Sequence, residues 1–245
     1  MRARLDMLAN VCAAPWRVYW RTYCHFVLRG VGKLLKVWGR ATSSNVQKAM
    51  WLVAELGLPY ERVDVGGAFG GNDAPEFLAM NPNGLVPTIE DDGMTLWESH
   101  AIVRYLALKH AEGSICPADP RDRAMAERWM DWLMSTVNPN WGIMFGGLVR
   151  TAASRRNMDA INAAVARLGN SYQILERQLE GRDYIMGDQL TIADIPLGVS
   201  MYRYYALGVE RPAMPNVDAW YARLGERGAY AEHVMVPFDS LRVTD

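Results

Sequence analysis

The stretch over residues 81–105, NPNGLVPTIEDDGMTLWESHAIVRY, constrains the fold more than any other in the chain. It predicts a glycine-bearing loop, a Val86-Pro87 step, a strand over 87–90, a turn at Asp91-Asp92-Gly93, a strand over 95–97 and a helix opening at Ser99. Pro87 has no N–H to give to a ladder, so the backbone of Val86 is expected to form an open edge for a peptide-like ligand. A helix that starts just after Glu98 puts free N–H groups and partial positive charge beside one carboxylate and one hydroxyl. Such a corner suits a zwitterion. The helix end and Ser99 would take a carboxylate and Glu98 an ammonium, which together describe the α-amino-acid end of a small peptide. A plain hairpin packed on a helix, with Ser99 as its N-cap, is the alternative.

Around this unit the chain divides into unlike parts. Residues 1–33 hold six basic side chains against one acidic one, Asp6, although the whole chain carries a formal net charge of −1. That total gives no preference for nucleic acid. Asp6 and Asn10 break any short apolar core after the first arginines, so a secretory signal is a poor fit, and no run reaches the length of a membrane span. Trp16, Tyr19, Trp20, Tyr23 and Phe26 interleave with Arg17 and Arg21. They are compatible with a basic aromatic helix in weak contact with an anionic membrane, with a disordered arm, or with a translation start that truly lies near Leu34. Cys12, Cys24 and Cys116 form no CxxC pair, which argues against a disulfide framework and makes the cytoplasm the expected compartment. Four histidines without HxxxH or HExxH spacing give no support for a metal site.

Residues 34–39, LLKVWG, predict a strand, and VQKAMWLVAELGL after the polar loop RATSSN predicts a helix with Val46, Ala49, Met50, Val53, Ala54 and Leu56 on one face. A second strand follows over 60–65. This β-α-β unit leads into the hairpin and helix, giving a thioredoxin-like layout over 34–112. The glycine-rich segment 66–83 lacks a phosphate fingerprint; it reads either as a flap over a bound peptide or as a solvent loop carrying the short helix PEFLAM. Residues 112–120, EGSICPADP, mark a boundary, and 121–238 read as all-helical. There the expectations are a helix over 121–134 interrupted at Asn138-Pro139-Asn140, a long helix opened by Ser154, and a last helix over 217–226. Thr191 and Asp194 form a capping box with Leu190 and Ile195 as its staple, and Pro196 is expected to remove an early helical hydrogen bond.

The Val-Pro, strand, strand, Glu-Ser, helix order resembles the peptide-binding half of cytosolic glutathione transferases, and NPNGLVP with LWES-HAIVRYL looks most like the bacterial members. The TIAD box resembles that family's helical-domain motif. The resemblance covers roughly residues 34–238. It implies an α/β thioredoxin-like N-terminal domain plus an all-α C-terminal domain, a cis Val86-Pro87 peptide, glutathione as co-substrate rather than a resident cofactor, a small hydrophobic electrophile as second substrate, and a homodimer.

Such an enzyme needs a thiolate, and the thiol belongs to glutathione. Ser43-Ser44-Asn45-Val46-Gln47-Lys48 is similar to the S-x-N-x-x-K pattern of serine-type bacterial transferases. The resemblance implies that Ser43 contacts the thiol with Asn45 as a supporting donor; a slipped alignment moves the role to Thr42 or Ser44. It also implies that Leu85, Val86, Pro87, Glu98 and Ser99 hold glutathione. No tyrosine or cysteine occupies the loop, which sets aside the tyrosine- and cysteine-type members. An N-cap cluster without chemistry is the alternative. Asn45 also fits relatives that reduce disulfides with glutathione, and a binding protein reusing the fold is a third possibility. Candidates for the electrophile pocket are Trp132, Trp141, Met144, Arg150 and Tyr202.

Overall fold

The computed structural model describes residues 34–245; the basic segment 1–33, with the membrane and disorder expectations made for it, lies outside the described residues. Four strands form one mixed sheet in the order β2-β1-β3-β4. β1 (Leu35–Trp38) runs parallel to β2 (Tyr60–Val63), and β3 (Thr88–Asp91) runs antiparallel to β1 with Val37 opposite Ile89. β4 (Met94–Trp97) closes a hairpin on β3 through Asp92-Gly93, both at positive φ, 51° and 88°. Positive φ at both central residues of a two-residue loop matches the right-handed twist of the strands, and Asp-Gly is the pair that accepts it cheaply. Because β3 is flanked on both sides, it offers no open edge of the kind expected from Pro87. The exposed backbone is confined to Val86, just ahead of the strand, where the peptide to Pro87 is cis.

The parallel β1–β2 pair is connected by α1 (Ser44–Glu55). The apolar periodicity predicts one buried face, but every residue from Val46 to Val53 is buried, Gln47 and Lys48 included. The reason is the packing. α1 lies against α3 (Ser99–Ala111) on one side and against α7 (Asp194–Ala206) and α9 (Gly228–His233) on the other. A short helix, α2 (Pro75–Met80), follows a 3₁₀ turn in the glycine-rich segment. Asp91 ties the hairpin to α3, accepting from Lys109 at 2.6 Å and Tyr105 at 2.8 Å. Glu98, not Ser99, takes the N-cap position of α3, with φ 71° and no side-chain capping bond.

The helical part begins with α4 (Pro120–Trp132), capped by Asp119, which accepts from Arg121 N at 2.7 Å and Asp122 N at 3.3 Å. Asn138-Pro139-Asn140 does not interrupt the path. The chain passes through a π turn, Leu133–Val137, and resumes as α5 (Asn138–Val149) with Pro139 in its first turn. Proline cannot donate to the carbonyl four residues back, and the wider turn accommodates that loss while keeping the axis helical. α6 (Met158–Gln178) starts later than Ser154 suggests, because Asn157 is the residue that caps it, accepting from Ala160 N at 3.0 Å. α8 (Pro215–Gly225) is capped from a distance by Glu176, which accepts from Asn216 N and Val217 N at 3.1 and 2.9 Å. The short helix α9 was not anticipated.

One half of the Thr191–Asp194 box forms, with Thr191 Oγ1 accepting from Ala193 N at 3.3 Å rather than from Asp194 N, and Asp194 does more than cap. Asp194 accepts from Thr191 N at 2.9 Å as the box requires, and also from Ile185 N at 3.0 Å and Trp220 Nε1 at 2.9 Å. Pro196 is the third residue of α7, where the N–H has no intrahelical partner in any case, so no hydrogen bond is lost. Among the described residues no helix is long and apolar enough to cross a membrane.

Candidate functional site

A cleft of about 420 Å³ opens where the β1–α1 loop, the segment before β3 and the helices α5 and α7 meet. Ser43, Ser44 and Asn45 form one wall, Leu85 and Val86 another, and Trp141 and Arg150 stand on the helical side. Each is placed by simple local chemistry. Ser43 is the N-cap of α1, in extended conformation at φ −84° and ψ 120°, yet its side chain makes no capping bond. Its main chain is fully used, with N donating to Arg40 O at 3.1 Å and O accepting from Gln47 N at 2.9 Å. The hydroxyl therefore remains available at the positive end of a 12-residue helix. An N-cap serving only the helix would normally turn its oxygen onto the N–H of the second or third helical residue.

Asn45, the second helical residue, is fixed through its amide oxygen, which accepts from Lys48 Nζ at 3.0 Å. That leaves its NH₂ directed elsewhere, without a partner among the described residues. Lys48 is buried, also lines the cleft, and lies 3.1 Å from His100 Nε2. Burial lowers the Lys48 pKa to about 8, with Glu98 pulling in the opposite direction. His100 is pushed down to about 2, by burial first and then by Lys48 and Arg104, so it is neutral and acts as the acceptor.

On the facing wall two asparagines hold the loop. Asn72 donates to Gly84 O at 2.8 Å and Asn81 to Leu85 O at 2.7 Å. Val86 keeps both its N–H and its C=O without a hydrogen bond among the described residues. The glycines of the β2–β3 connection approach closely. A Cβ on Gly67 would come within 2.9 Å of Arg40 Nε, and Gly66 and Gly67 both border the cleft.

Thr42, Pro87, Glu98 and Ser99 are not on the cleft wall. Thr42 instead gives its carbonyl to Arg203 Nη2 at 2.6 Å, and Pro87 is buried. Glu98 and Ser99 sit at the start of α3, with Ser99 only 4% exposed and Glu98 acting electrostatically on Lys48. Of the electrophile-pocket candidates, Trp141 and Arg150 reach the wall. Met144 is fully buried in the core, Trp132 packs edge-on against Trp129 with centroids 5.3 Å apart, and Tyr202 lies against Phe238. Helical position decides this: Trp141 stands one turn after Asn138, another wall residue, whereas Met144 is buried in the core and the half-buried Trp132 lies off the cleft.

Sequence reasoning missed Arg40, Leu133, Asn138, Val199, Ser200 and the buried Arg203, and it quoted Lys48 only as part of a pattern. A signal existed for two of these. Lys48 and Arg203 are charges inside apolar helical runs, KAMWLV and VSMYRYYA. Among the described residues no group of three His, Cys, Asp or Glu is placed to hold a metal ion.

Comparison with known proteins agrees with this geometry. Residues 33–108 match the family model "Glutathione S-transferase, N-terminal domain" and residues 140–227 match "Glutathione S-transferase, C-terminal domain". The chain is 40% identical over 207 residues to glutathione S-transferase GstB of Escherichia coli K12, covering 83% of this chain and 99% of that protein. It is 32% identical over 201 residues to glutathione S-transferase 4 of Zea mays, covering 80% and 89%. Among solved structures, a theta class glutathione S-transferase from Xanthomonas axonopodis pv. citri with glutathione bound superposes with a TM-score of 0.79 at 44% identity, covering 83% of this chain and 98% of that one. With both halves matched, and with relatives at such identity aligned nearly end to end, this chain belongs to the glutathione transferase family.

Proposed function

We propose that the chain is a glutathione S-transferase that uses the cleft to bind glutathione and activate its thiol for attack on a small electrophile. The single observation that carries the reading is the Ser43 hydroxyl, free of any capping bond at the N-terminus of α1 and sharing a cleft with the unpaired backbone of Val86. In this reading Val86 pairs with the cysteinyl backbone of glutathione, and Leu85 and cis-Pro87 shape the strand that presents it. Glu98 and Ser99, at the start of α3, receive the γ-glutamyl ammonium and carboxylate. Ser43 donates to the sulfur, Asn45 supports it through its NH₂, and Thr42 and Ser44 complete the loop.

The energetics are adequate. A cysteine thiol titrates near pH 8.5, so lowering it by about two units requires roughly 2.7 kcal/mol of preferential thiolate stabilisation. One charge-assisted hydrogen bond contributes about 1.5–3 kcal/mol and a helix N-terminus about 0.3–1 kcal/mol more. Ser43 with α1 behind it therefore supplies most of what is needed, and the ammonium of Lys48 adds to it. The thiol proton leaves to solvent, the sulfur forms a bond to the electrophilic carbon, and the leaving group departs with the electron pair. Holding the two reactants together is the remaining contribution of the protein.

The test is isothermal titration with glutathione and with glutathione disulfide, followed by turnover of 1-chloro-2,4-dinitrobenzene and of hydroxyethyl disulfide. Binding with turnover of the first establishes conjugation. Preferential turnover of the second establishes disulfide reduction instead. Absence of binding to either glutathione form refutes the enzyme and leaves a partner-recognition protein on the same fold. A homodimer in the cytoplasm completes the proposal, and sedimentation equilibrium at twice 27.5 kDa is the result that supports the dimer.

A further inference from the structure

The cleft carries more positive charge than binding a small hydrophobic electrophile requires. Arg40 and Arg150 both stand on the wall. Arg203 lies one turn of α7 beyond the wall residue Ser200, is 1% exposed, and spends one donor on Thr42 O at 2.6 Å. Among the described residues no Asp or Glu forms an ion pair with any of the three. Aromatic faces stand in for carboxylates: Arg150 lies 5.4 Å and Arg203 4.8 Å from the centroid of Phe145, and Arg203 lies 5.4 Å from that of Phe238. Nε of Arg40 and Nε of Arg203 are both buried without a hydrogen-bond partner.

Crowding of this kind is costly, and the pKa directions agree. Burial lowers Arg40 and takes Arg203 down to about 10, and in each case the charge of Arg150 is the next cause. Arg150 is not needed to complement the end of α5. Arg156 does that, donating to Leu148 O at 2.9 Å and Thr151 O at 3.2 Å. Buried or crowded donors left unpaired disfavour the folded state unless a ligand satisfies them, and a planar guanidinium suits a carboxylate. Trp141, Leu133 and Val199 give this wall an apolar surface beside the polar Asn138 and Ser200.

Resting on the transferase reading, we propose that the second substrate is an anionic electrophile, whose carboxylate is held by Arg40 and Arg150 with Arg203 behind them. Its apolar body lies on Trp141 while the electrophilic carbon faces the glutathione sulfur. Substitution then proceeds with the S–C bond forming, the carbon–halogen bond breaking, halide leaving with the electron pair, and the thiol proton going to water. The carboxylate is unchanged throughout. Glutathione has carboxylates of its own, and these are the competing occupants of the arginines.

The experiment compares 4-chloro-3,5-dinitrobenzoate with its neutral methyl ester, each kcat/KM divided by the uncatalysed rate constant with glutathione. A carboxylate held by one charge-assisted bond predicts an acid-over-ester preference of about tenfold or more. Arg150→Gln and Arg40→Gln should each reduce the preference several-fold, while Arg150→Lys keeps most of it. Arg150 is exposed and suited to substitution. Equal or reversed preference in the wild type overturns the inference while ester turnover leaves the transferase reading intact. So does a preference unchanged in both glutamine variants. Weaker glutathione binding in Arg150→Gln with an unchanged acid-to-ester ratio would give the arginines to glutathione and also overturn it. Absence of glutathione binding in the wild type refutes the transferase reading and this inference together.

Discussion

Lys48 Nζ sits 3.1 Å from His100 Nε2 in the buried seam where α1 packs on α3. With His100 held neutral, the contact gives the ammonium an acceptor but no charge to offset its burial. The Lys48 pKa accordingly falls from 10.5 to about 8. Below pH 8 the native state carries the full cost of a buried ammonium. Between pH 8 and 10.5 the unfolded chain holds a proton that the native chain has released, so stability rises with pH through that window. Urea unfolding of the wild type and of Lys48→Met at pH 8 and pH 10 isolates the effect, because other titrations cancel in the difference. The wild type should gain roughly 2–3 kcal/mol on the variant over that interval. A difference that does not change with pH would mean that Lys48 titrates like an exposed lysine.

The roles of Ser43 and Asn45 separate by pH profile. Ser43→Ala removes the direct donor to the thiolate and should lower kcat/KM about 10- to 100-fold at pH 6.5, with the ionisation limb displaced upward by about one to two units. Because Ser43 makes no capping bond, thermal stability should barely change, whereas loss of a working N-cap costs about 1 kcal/mol. Asn45→Ala should have the smaller kinetic effect, since Lys48 keeps its charge near the site. If the two effects are reversed, the thiol contact belongs to Asn45. If Ser43→Ala loses stability and keeps activity, Ser43 is only a cap.

The contrast between Ser43 and Lys48 shows what the chain discloses of itself. The β1-α1-β2 unit, the Asp92-Gly93 hairpin and the loop serines are local: period, turn residues and a polar break fix them within a dozen positions. Val86 and Pro87 are legible for the same reason. Which charges are buried is not local. Lys48 is enclosed where α3 packs on α1 beside His100, and Arg203 lies against Phe145 and Phe238; the apolar runs around them hint at burial, but the segments that enclose them are far away in sequence. The interruption expected at Asn138-Pro139-Asn140 is instead a π turn at Leu133–Val137, because Pro139 signals a lost donor without saying whether the helix stops or widens. Trp132 and Met144 carry the chemistry of pocket linings, but their direction depends on helix phase.

Packing between the layers is tight enough to forbid one methyl group. A Cβ on Gly198 of α7 would lie 2.8 Å from Leu224 Cδ1 and 2.9 and 3.0 Å from ring atoms of Trp51. Gly198 O also accepts from Tyr230 at 2.8 Å, which fixes the backbone against a compensating shift. Replacing glycine by alanine in a helix interior ordinarily gains about 1 kcal/mol. Overpacking a filled core costs about 1–3 kcal/mol and should prevail. Gly198→Ala is therefore expected to lower stability by about 1–2 kcal/mol in urea, and an increase would mean that the Trp51 ring moves freely.

Asp194 gives the sharpest test of the helical part. Its Oδ1 accepts from Ile185 N and Trp220 Nε1, and its Oδ2 from Thr191 N and Thr191 Oγ1. Burial pushes its pKa up to about 6 even though these four donors act to hold it down. Both oxygens are thus committed to N–H groups that can only donate. In Asp194→Asn the amide nitrogen must replace one oxygen, and whichever way the side chain flips it meets at least one fixed N–H head-on. The substitution is isosteric and leaves no cavity, yet it strands a buried donor pair, so a loss of roughly 3–5 kcal/mol is expected. The pH dependence carries the opposite sign to that of Lys48. As pH falls from about 6 toward the ordinary aspartate value, the native state takes up a proton that the unfolded chain does not, so this carboxyl contributes increasing stability. The gap between wild type and Asp194→Asn, measured by urea unfolding at pH 7 and pH 5, should therefore widen at pH 5. A gap that narrows there would mean that the four donors outweigh burial and keep Asp194 ionised.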